Sequence, residues 1–378
     1  MGASARSAAA SALRAGYRPF ACDLFADEDL RAICACVRVD PLDYPSRVDR
    51  YLESHRGVPL LFTGGLENYP EVLETLARQH PILGSSPSAV RAARDPHRLH
   101  ETLRRAGLPS PDVRDGRSPP GSPADWLAKP LLGSGGSRIR RAEAREGSGR
   151  IYFQRYVEGT PASAVYVAGR GGARLLGVTR QLVGEPWLHA SPFAYCGSVG
   201  PLPTTPCLHE RIQRLGAVTA RAFGLLGLFG VDLVLDGDDP WVVELNPRYT
   251  ASVEVLETAR GLKAVELHAR ACSGGELASS PCGAAARFVV GKAVLFAAAD
   301  LDVPCDLRRA EKRPEGTAIP LADVPRRGQS IPRGRPVVTV FADAPSVEEC
   351  CARLRSRTRE VERLLAGRPL REGSPSAS

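Results

Sequence analysis

Apolar and polar positions in the N-terminal part of the chain alternate between strand-like and helix-like periods. Residues 2–17 predict a tight turn that leads into a helix of small residues, and a short apolar stretch, PFACDLF, follows. A candidate strand at 58–63 precedes a helix at 71–79, and PILGS precedes a helix at 90–106. Strands that alternate with helices predict a mostly parallel sheet that binds ligands at the carboxyl ends of its strands.

The first turn lacks the strand that should come before it. In a nucleotide-binding type of α/β domain this turn follows a buried strand, but here only Met1 precedes it. We therefore expect that the assigned start lies too late or that the reading frame lost its first codons. Otherwise the sheet begins one strand short.

A segment rich in Pro and Gly, residues 108–123, marks a change of pattern. Beyond it come strands bounded by glycine, a helix at 209–227, a hairpin of GVDLVLD and WVVELN, and a helix near 254–271. Residues 287–297 then open a β-rich region that closes with a helix at 346–366. The predicted fold class is α/β, with these divisions: an N-terminal parallel domain at 1–107, a central domain at 108–280, a small C-terminal region at 281–366 and a disordered tail at 367–378.

Composition narrows the class of protein. The net charge is +8, but the basic residues are spread along the chain without a five-residue block, so nucleic acid is not an expected partner. No apolar stretch is long enough to span a membrane, and the N-terminus does not fit a secretory signal. The ten cysteines form no CxxC pair, which favours buried thiols in a cytoplasmic protein. Only four lysines occur, so each one is of interest.

One of these lysines, Lys129, precedes a Gly/Ser-rich loop in LAKPLLGSGGS. Such a loop lets backbone N–H groups approach phosphate oxygens, and a nearby ammonium adds a positive charge. The candidate phosphate ligands are Lys129, Gly133, Ser134, Gly135 and Gly136. A glycine-rich hairpin turn with an incidental lysine is the alternative.

The stretch FQRYVEGTP predicts a strand that ends in a turn. Main-chain N–H and C=O groups at such an end can hold an adenine ring, whichever side chains are present. The candidate residues are Gln154, Arg155, Tyr156 and Val157. Alone, the stretch is also compatible with an ordinary strand.

The hairpin at 230–246 carries the strongest chemical signal. Asp232 and Glu244 are spaced so that two paired strands would bring them close, and Asn246 adds a neutral oxygen. These hard oxygen donors suit Mg²⁺, or Mn²⁺, bound together with nucleotide phosphates. Arg248 would project from the same face. Two acidic residues on a solvated hairpin are the alternative, although the flanking residues are apolar.

The order of these motifs resembles the ATP-grasp superfamily, in the branch related to biotin carboxylase and carbamoyl phosphate synthase, and within it the predicted ATP-dependent carboligases. The resemblance implies a two-part ATP-binding domain, with ATP bound by Lys129, the GSGGS loop and QRYVEG. It implies Mg²⁺ at Asp232, Glu244 and Asn246, and a catalytic role for Lys129 and for Arg248 on the substrate or phosphate side. TGGLENYP resembles the substrate-facing loop, and GKAVLFA the carboxylase-type cap.

The chain departs from this family at three positions. Pro96 stands where a lysine is common, so Arg98 is expected to supply that phosphate contact. Thr160 and Pro161 replace the acidic residue that would bind ribose. Ser252 stands where carboxylases have a glutamate that handles bicarbonate, which weakens a carboxylase interpretation.

The resemblance implies an enzyme that activates a carboxylate as an acyl phosphate and joins it to an amine, releasing ADP and phosphate. The alternatives are a bicarbonate-using carboxylase and an ATP-binding protein without catalysis. The partners are then a small carboxylic acid and an amine, and related enzymes often form homodimers. Positions suggest these candidate substrate contacts: Arg6, Glu67, Asn68, Arg180, Gln181, Tyr195 and Ser198.

Overall fold

The computed structural model of the protein describes residues 1–143, 148–275, 288–310 and 320–367. The predicted boundary at 280/281 and residues 368–378 of the predicted tail lie outside the described residues. The helices are α1 Arg6–Arg14, α2 Glu28–Ile33, α3 Pro70–Ala77, α4 Pro87–Ala93, α5 Pro96–Arg105, α6 Pro206–Phe223, α7 Ala251–Arg260, α8 Ala264–Cys272, α9 Leu307–Ala310 and α10 Val347–Leu365. Within the described ranges, no helix has the length and apolar character needed to cross a membrane.

The strands form four sheets. In chain order they are β1 Phe20–Asp23, β2 Ala35–Arg38, β3 Val113–Asp115, β4 Trp126–Pro130, β5 Arg140–Arg141, β6 Ile151–Arg155, β7 Thr160–Gly169, β8 Gly172–Val183, β9 Tyr195–Gly200, β10 Gly227–Asp236, β11 Asp239–Asn246, β12 Val289–Phe296, β13 Leu301–Asp302, β14 Ser330–Ile331 and β15 Pro336–Ala344.

The N-terminal region pairs in parallel, but residues 58–63 and PILGS are not the strands that the sequence predicts, because they meet only at an isolated bridge between Leu60 and Ile82. Strands β1 and β2 pair in parallel, and Gly2 forms a parallel bridge to Asp23. The N–H of Thr63 donates to Met1 O at 2.8 Å, so residues 1–2 lie between β1 and the segment that ends at Thr63. The short stretch at the start of the chain thus has strand-like pairing on both sides.

The predicted helix at 90–106 is two helices in the structure. Pro96 lacks an N–H group, so α4 ends before it, and Asp95 caps α5 by accepting from the N–H groups of His97 and Arg98. This break leaves Arg94 at the C-terminal cap of α4, where it points into the molecule. The predicted helix at 254–271 is likewise divided, because Gly261 ends α7 with a positive φ of 63°.

A small antiparallel sheet of order β3-β6-β4-β5 forms one part of the central domain. The other part is a seven-stranded sheet of order β11-β10-β7-β8-β9-β12-β15. Because β12 pairs with β9, this sheet continues from the central domain into the C-terminal region. The sheet therefore crosses the division that the sequence predicts near residue 280.

The central strands of the large sheet are covered on both faces. On β7, Ala164 and Tyr166 pack into the core beneath α6, and the Tyr166 hydroxyl donates to Ile212 O at 2.7 Å. The alternate residues Val165 and Val167 pack with α7 and α8 on the opposite face. Period-two alternation thus buries both faces, which is typical of a strand inside a layered α/β structure.

Candidate functional site

A cavity of about 710 Å³ lies where the N-terminal region, both central sheets and the C-terminal region meet. It is lined by polar side chains from each of these parts, set among apolar ones. The candidate residues on its surface are Arg6, Lys129, Ser134, Gly135, Gly136, Gln154, Arg155, Tyr156, Val157, Gln181, Tyr195, Asp232, Glu244, Asn246 and Arg248. A single cavity therefore brings together motifs that are far apart in the sequence.

The β10–β11 hairpin places two carboxylates opposite each other. Asp232 pairs in register with Glu244, and the register then shifts so that Leu233 pairs with Val242. Val243 is thus the extra residue of a β-bulge, a feature that redirects neighbouring side chains. Its carbonyl accepts hydrogen bonds from Lys129 Nζ at 3.4 Å and from Gln154 Nε2 at 3.2 Å. The bulge therefore links the large sheet to the small one at the site.

Asp232 and Glu244 lie in different electrostatic surroundings. Gln181 Nε2 and Asn246 Nδ2 each donate to Asp232 at 2.9 Å. Burial, and then repulsion from Glu244, raises the pKa of Asp232 to about 6. Burial also opposes ionisation of Glu244, but the cations of Arg94 and Lys129 outweigh it and lower its pKa. Glu244 is therefore the carboxylate that stays ionised most readily.

The donor set fits a magnesium ion shared with phosphates. Asp232 and Glu244 supply carboxylate oxygens, and Asn246 adds an amide oxygen that now accepts from Arg248 at 3.2 Å. Mg²⁺ is commonly bound by one or two carboxylates and completed by water and phosphate oxygens. Over the ranges that the structure describes, no cluster of three His, Cys, Asp or Glu residues forms a closed metal cage. An open site with few protein ligands is the geometry that a nucleotide-bound Mg²⁺ needs.

Lys129 lies on β4 with its side chain buried. Its Nζ donates to Gln154 Oε1 at 3.0 Å in addition to Val243 O. Burial acts to lower the pKa of Lys129, but Tyr152 and Glu244 outweigh it and raise the pKa. Lys129 therefore stays a cation beside Glu244.

The glycine-rich loop is held against the strand that follows residue 193. Gly135 and Gly136 have positive φ angles of 62° and 72°. A Cβ on Gly136 would lie 1.8 Å from Phe193 O, and Gly135 O accepts from the N–H of Tyr195 at 2.9 Å. Only glycine permits this close approach, so the loop forms one wall of the cavity. Gly133 lines a smaller adjoining cavity instead.

Residues 154–157 run along the cavity wall where β6 ends. The N–H of Tyr156 donates to Asp125 O at 2.7 Å, and the guanidinium of Arg141 lies 3.7 Å from the centre of the Tyr156 ring. These contacts fix the course of the backbone beside the large sheet.

Arg248 is held by a loop from the N-terminal region. Its Nε donates to Glu67 Oε1 at 2.7 Å, and Glu67 is buried. Glu67 and Asn68 do not line the large cavity, although the sequence suggests that they contact substrate. Asn68 instead donates to Gly133 O at 3.1 Å and accepts from Arg94 at 3.0 Å. The TGGLEN loop thus positions Arg248 and Arg94.

Arg98 and the nearby Arg94 lie in different surroundings. Arg98 is exposed, and its guanidinium lies 5.6 Å from the centre of the Phe223 ring, so the structure does not bring it to the cavity. Arg94 forms an ion pair with Glu244 and lines the smaller cavity. The walls of the smaller and the large cavity have several residues in common, among them Lys129, Ser134, Gly136 and Glu244. The Nε of Arg94 is buried without a hydrogen-bond partner. Sequence analysis missed Arg94 because the helix was expected to continue through it.

Three charged residues of the cavity floor form a buried network. Arg6 bonds to Glu254 through both terminal nitrogens, and Lys292 Nζ donates to Glu254 Oε2 at 3.1 Å. Arg6 and Lys292 line the cavity. Glu254 and Lys292 were not identified from the sequence, although the scarcity of lysine was a signal for Lys292.

Hydroxyl groups occupy the position of the carboxylase glutamate. Ser252 Oγ lies 3.1 Å from Ser198 Oγ and accepts from Thr179 Oγ1 at 3.0 Å. Ser198 in turn bonds to the hydroxyl of Tyr195 at 2.8 Å. Tyr195 and Ser252 line the cavity, whereas Ser198 and Arg180 do not.

Comparisons with known proteins find similarity over part of this chain. Residues 93–252 match the family model of the ATP-grasp domain. The chain is 25% identical over 210 residues to the carbamoyl phosphate synthase large chain of Myxococcus xanthus, a match that covers 50% of this chain and 19% of that protein. The chain therefore spans only a small part of the length of this curated relative.

Solved structures cover nearly the whole chain. The biotin carboxylase domain dimer of Hydrogenobacter thermophilus 2-oxoglutarate carboxylase, in complex with MgADP, ADP and bicarbonate, matches with a TM-score of 0.70 and 16% identity, over 92% of this chain and 85% of that one. The L-amino acid ligase of Bacillus licheniformis matches with a TM-score of 0.68 and 17% identity, over 93% of each chain. At these identities the likeness establishes a common fold.

Proposed function

We propose, from the premise that this chain belongs to the ATP-grasp superfamily, that it is an ATP-dependent ligase that joins a carboxylic acid to an amine. The observation that carries the proposal is the convergence of Lys129, Asp232, Glu244, Asn246 and Arg248 on one cavity beside the glycine-rich loop. The nucleotide is ATP with Mg²⁺ or Mn²⁺, and the products are the amide, ADP and phosphate. The match covers only 19% of the carbamoyl phosphate synthase large chain, so the activity of that whole protein is not carried over to this chain.

ATP binding follows from the positions of the cavity walls. The adenine ring would lie against the backbone at 154–157, and the phosphates would extend toward the loop at 133–136 and Lys129. Arg94, with its unpartnered Nε, takes the phosphate contact that the sequence assigned to Arg98. The magnesium ion would be held by Asp232, Glu244 and Asn246, where it would neutralise the charge on the phosphate oxygens.

The protein's own residues supply position and charge in the first step. The substrate carboxylate attacks the terminal phosphorus of ATP, and the bond from that phosphorus to the ADP oxygen breaks, giving an acyl phosphate and ADP. Lys129 and Arg248 would stabilise the charge spread over the transferred oxygens. Glu67 holds Arg248 through Nε, while the terminal nitrogens of Arg248 donate to Asn246 Oδ1 at 3.2 Å and to Tyr249 O at 3.1 Å.

In the second step an amine attacks the acyl carbon. The bond from that carbon to the phosphate oxygen breaks, phosphate leaves, and the amine nitrogen loses a proton. The loop at 133–136, packed against Phe193 and Tyr195, would keep water away from the acyl phosphate. This exclusion matters because water is a competing nucleophile.

A bicarbonate-using carboxylase is the second candidate, favoured by the Hydrogenobacter relative that holds bicarbonate. The side chains of Ser252 and Glu254 support the ligase instead. Ser252 offers a hydroxyl that is already engaged with Thr179 and Ser198. The nearest buried carboxylate on the same helix, Glu254, is paired with Arg6 and Lys292 and is therefore a poor base.

The test is Mg²⁺-dependent ADP release from ATP with pools of carboxylic acids, each with and without primary amines or bicarbonate. We expect release that needs both an acid and an amine, and hydroxamate formation when hydroxylamine replaces the amine. Glu244→Gln should abolish both, because it removes a charged metal ligand. Release that depends on bicarbonate alone would favour the carboxylase, and ATP binding without any turnover would favour a non-catalytic protein.

A further inference from the structure

The cavity wall opposite the metal ligands is made by two loops from distant parts of the chain. Residues 24–29 of the N-terminal region pack against residues 322–325 of the C-terminal region. The N–H groups of Asp323 and Val324 donate to the two oxygens of Asp29 at 3.0 and 2.9 Å. Asp27 and Asp323, one from each loop, line the cavity.

Three carboxylates near Asp27 already have partners. Asp29 is occupied by the two backbone N–H groups. Asp323 accepts from Arg6 Nε at 2.8 Å and from the Thr339 hydroxyl at 2.5 Å. Glu254 is shared by Arg6 and Lys292.

Asp27 is the exception. It is only 9% exposed, yet within the described part of the chain its carboxylate makes no hydrogen bond or ion pair. It stands at the N-cap position of α2 but accepts no N–H group of that helix. Its oxygens are not among the fully buried atoms that lack a partner, so they open onto the cavity, where a group from outside the chain can reach them.

The charge of the wall has the same implication. Around Asp27, two cations, Arg6 and Lys292, lie near five carboxylates, so negative charge is in excess; the carboxylates are Asp23, Asp27, Asp29, Glu254 and Asp323. Burial, followed by Asp323, Asp23 and Asp29, raises the pKa of Asp27 to about 8, against the opposing effect of Arg6. A cation bound at Asp27 would relieve this repulsion.

We propose that Asp27 binds the ammonium group of the amine substrate at the wall formed by the loops at 24–29 and 322–325. This inference rests on the proposed function and assigns the amine to a defined place in the cavity. A divalent metal fits less well, because it needs several free oxygens and only those of Asp27 are unoccupied. An ammonium group carries three N–H donors, and the two oxygens of Asp27 can accept from two of them.

The surroundings also restrict the rest of the amine. Phe25 lies two residues before Asp27, and Pro325 two residues after Asp323, and both line the cavity. Val338 and Ile331 add further apolar surface to the lining. The substrate class is therefore a primary amine on an apolar stem, rather than an amine surrounded by further charges.

The test uses the full-length protein and two variants, Asp27→Asn and the matched control Glu28→Gln. Glu28 is the next residue in the same loop, and it does not line the cavity. Binding is measured by calorimetry with n-butylamine, benzylamine and butane-1,4-diamine, each compared with the matching alcohol. We expect at least one amine to bind better than its alcohol, and Asp27→Asn to weaken that binding ~10-fold or more, as for loss of a hydrogen bond to a charged group. Glu28→Gln should bind as the wild type does.

Kinetics provide the second readout. With any active acid and amine pair, Asp27→Asn should raise the KM for the amine ~10-fold or more, and the KM for ATP much less. Equal amine binding in Asp27→Asn and wild type, or no preference of the wild type for amines over alcohols, would overturn the inference. If the wild type forms no hydroxamate with any acid, the ligase proposal fails, and calorimetry still decides whether Asp27 is a cation site.

Discussion

Arg94 and Arg98 are four residues apart, and their side chains reach different surroundings. Arg94 is held by Glu244, Asn68 and Gly133 at the smaller adjoining cavity, whereas Arg98 lies over Phe223 at the surface. The pair therefore offers a controlled comparison, since each variant removes one guanidinium from nearly the same stretch of chain.

We predict that Arg94→Gln raises the KM for ATP ~10- to 100-fold, because a charged donor to phosphate is lost. Arg98→Gln should change it less than about twofold, because an exposed cation–π contact contributes little. Steady-state ADP release at varied ATP concentration measures both. Equal effects of the two substitutions would contradict the assignment of Arg94.

Asp27 gives a residue-scale prediction about stability. Its pKa is raised to about 8 in the folded protein from an ordinary value of 3.8, so the folded state holds the proton more strongly than the unfolded state. This group therefore lowers stability progressively as pH rises from about 4 to about 8. Asn does not ionise, so Asp27→Asn does not lose stability in this way as pH rises. We predict that the free energy of unfolding of Asp27→Asn exceeds that of the wild type by at least about 1 kcal/mol near pH 8, with little difference near pH 4.

Urea unfolding at several pH values, without ligands, measures this difference. Glu28→Gln is the control and should show no such dependence. Lower stability of Asp27→Asn at every pH would indicate that this carboxylate has a structural role and does not serve to bind a cation.

At the scale of elements, the glycine-rich loop depends on a backbone that only glycine adopts. Gly136 combines a positive φ with a Cβ position 1.8 Å from Phe193 O. We predict that Gly136→Ala displaces the loop and raises the KM for ATP ~10-fold, since even the backbone conformation alone costs about 1–2 kcal/mol. Gly171→Ala is the control, because a Cβ there meets no atom within 4 Å.

Some elements follow from the sequence pattern and others do not. The β10–β11 hairpin followed from two apolar strands and a polar turn, and the observed register pairs Asp232 with Glu244 as expected. The helix at 90–106 was wrong as one element, because Pro96 and the Asp95 cap divide it. The β-bulge at Val243 leaves no signal in the sequence, and its carbonyl accepts from Lys129 and Gln154 on another sheet.

At the scale of the whole molecule, Glu254 joins three parts of the chain. It lies on α7 and bonds to Arg6 at the start of α1 and to Lys292 on β12. We predict that Glu254→Gln lowers the free energy of unfolding by about 3–5 kcal/mol, because it leaves two buried cations without their common partner. The exposed Glu266, paired only within its own region, provides Glu266→Gln as a control with an effect of about 0.5 kcal/mol or less.

The pH dependence of this network has a defined sign. Burial opposes ionisation of Glu254, but Arg6 and Lys292 outweigh it and lower its pKa to about 2. The stabilisation is therefore fully present above about pH 4.5 and is lost as pH falls toward 2. Acid unfolding followed by circular dichroism should show a smaller loss for Glu254→Gln, whose side chain does not titrate.

The sequence by itself predicted the β10–β11 hairpin, the candidate metal ligands and the motifs that indicate nucleotide binding. These features are local, because periodicity and short spacings act between residues that are near in the chain. Tertiary structure alone decided that Arg94 and not Arg98 pairs with Glu244, that Glu67 holds Arg248, and that Glu254 links Arg6 with Lys292. It also decided that Asp27 lies without a partner in a wall shared with Asp323. Those outcomes depend on how distant segments pack, and no spacing along the chain encodes the distance between side chains from different elements.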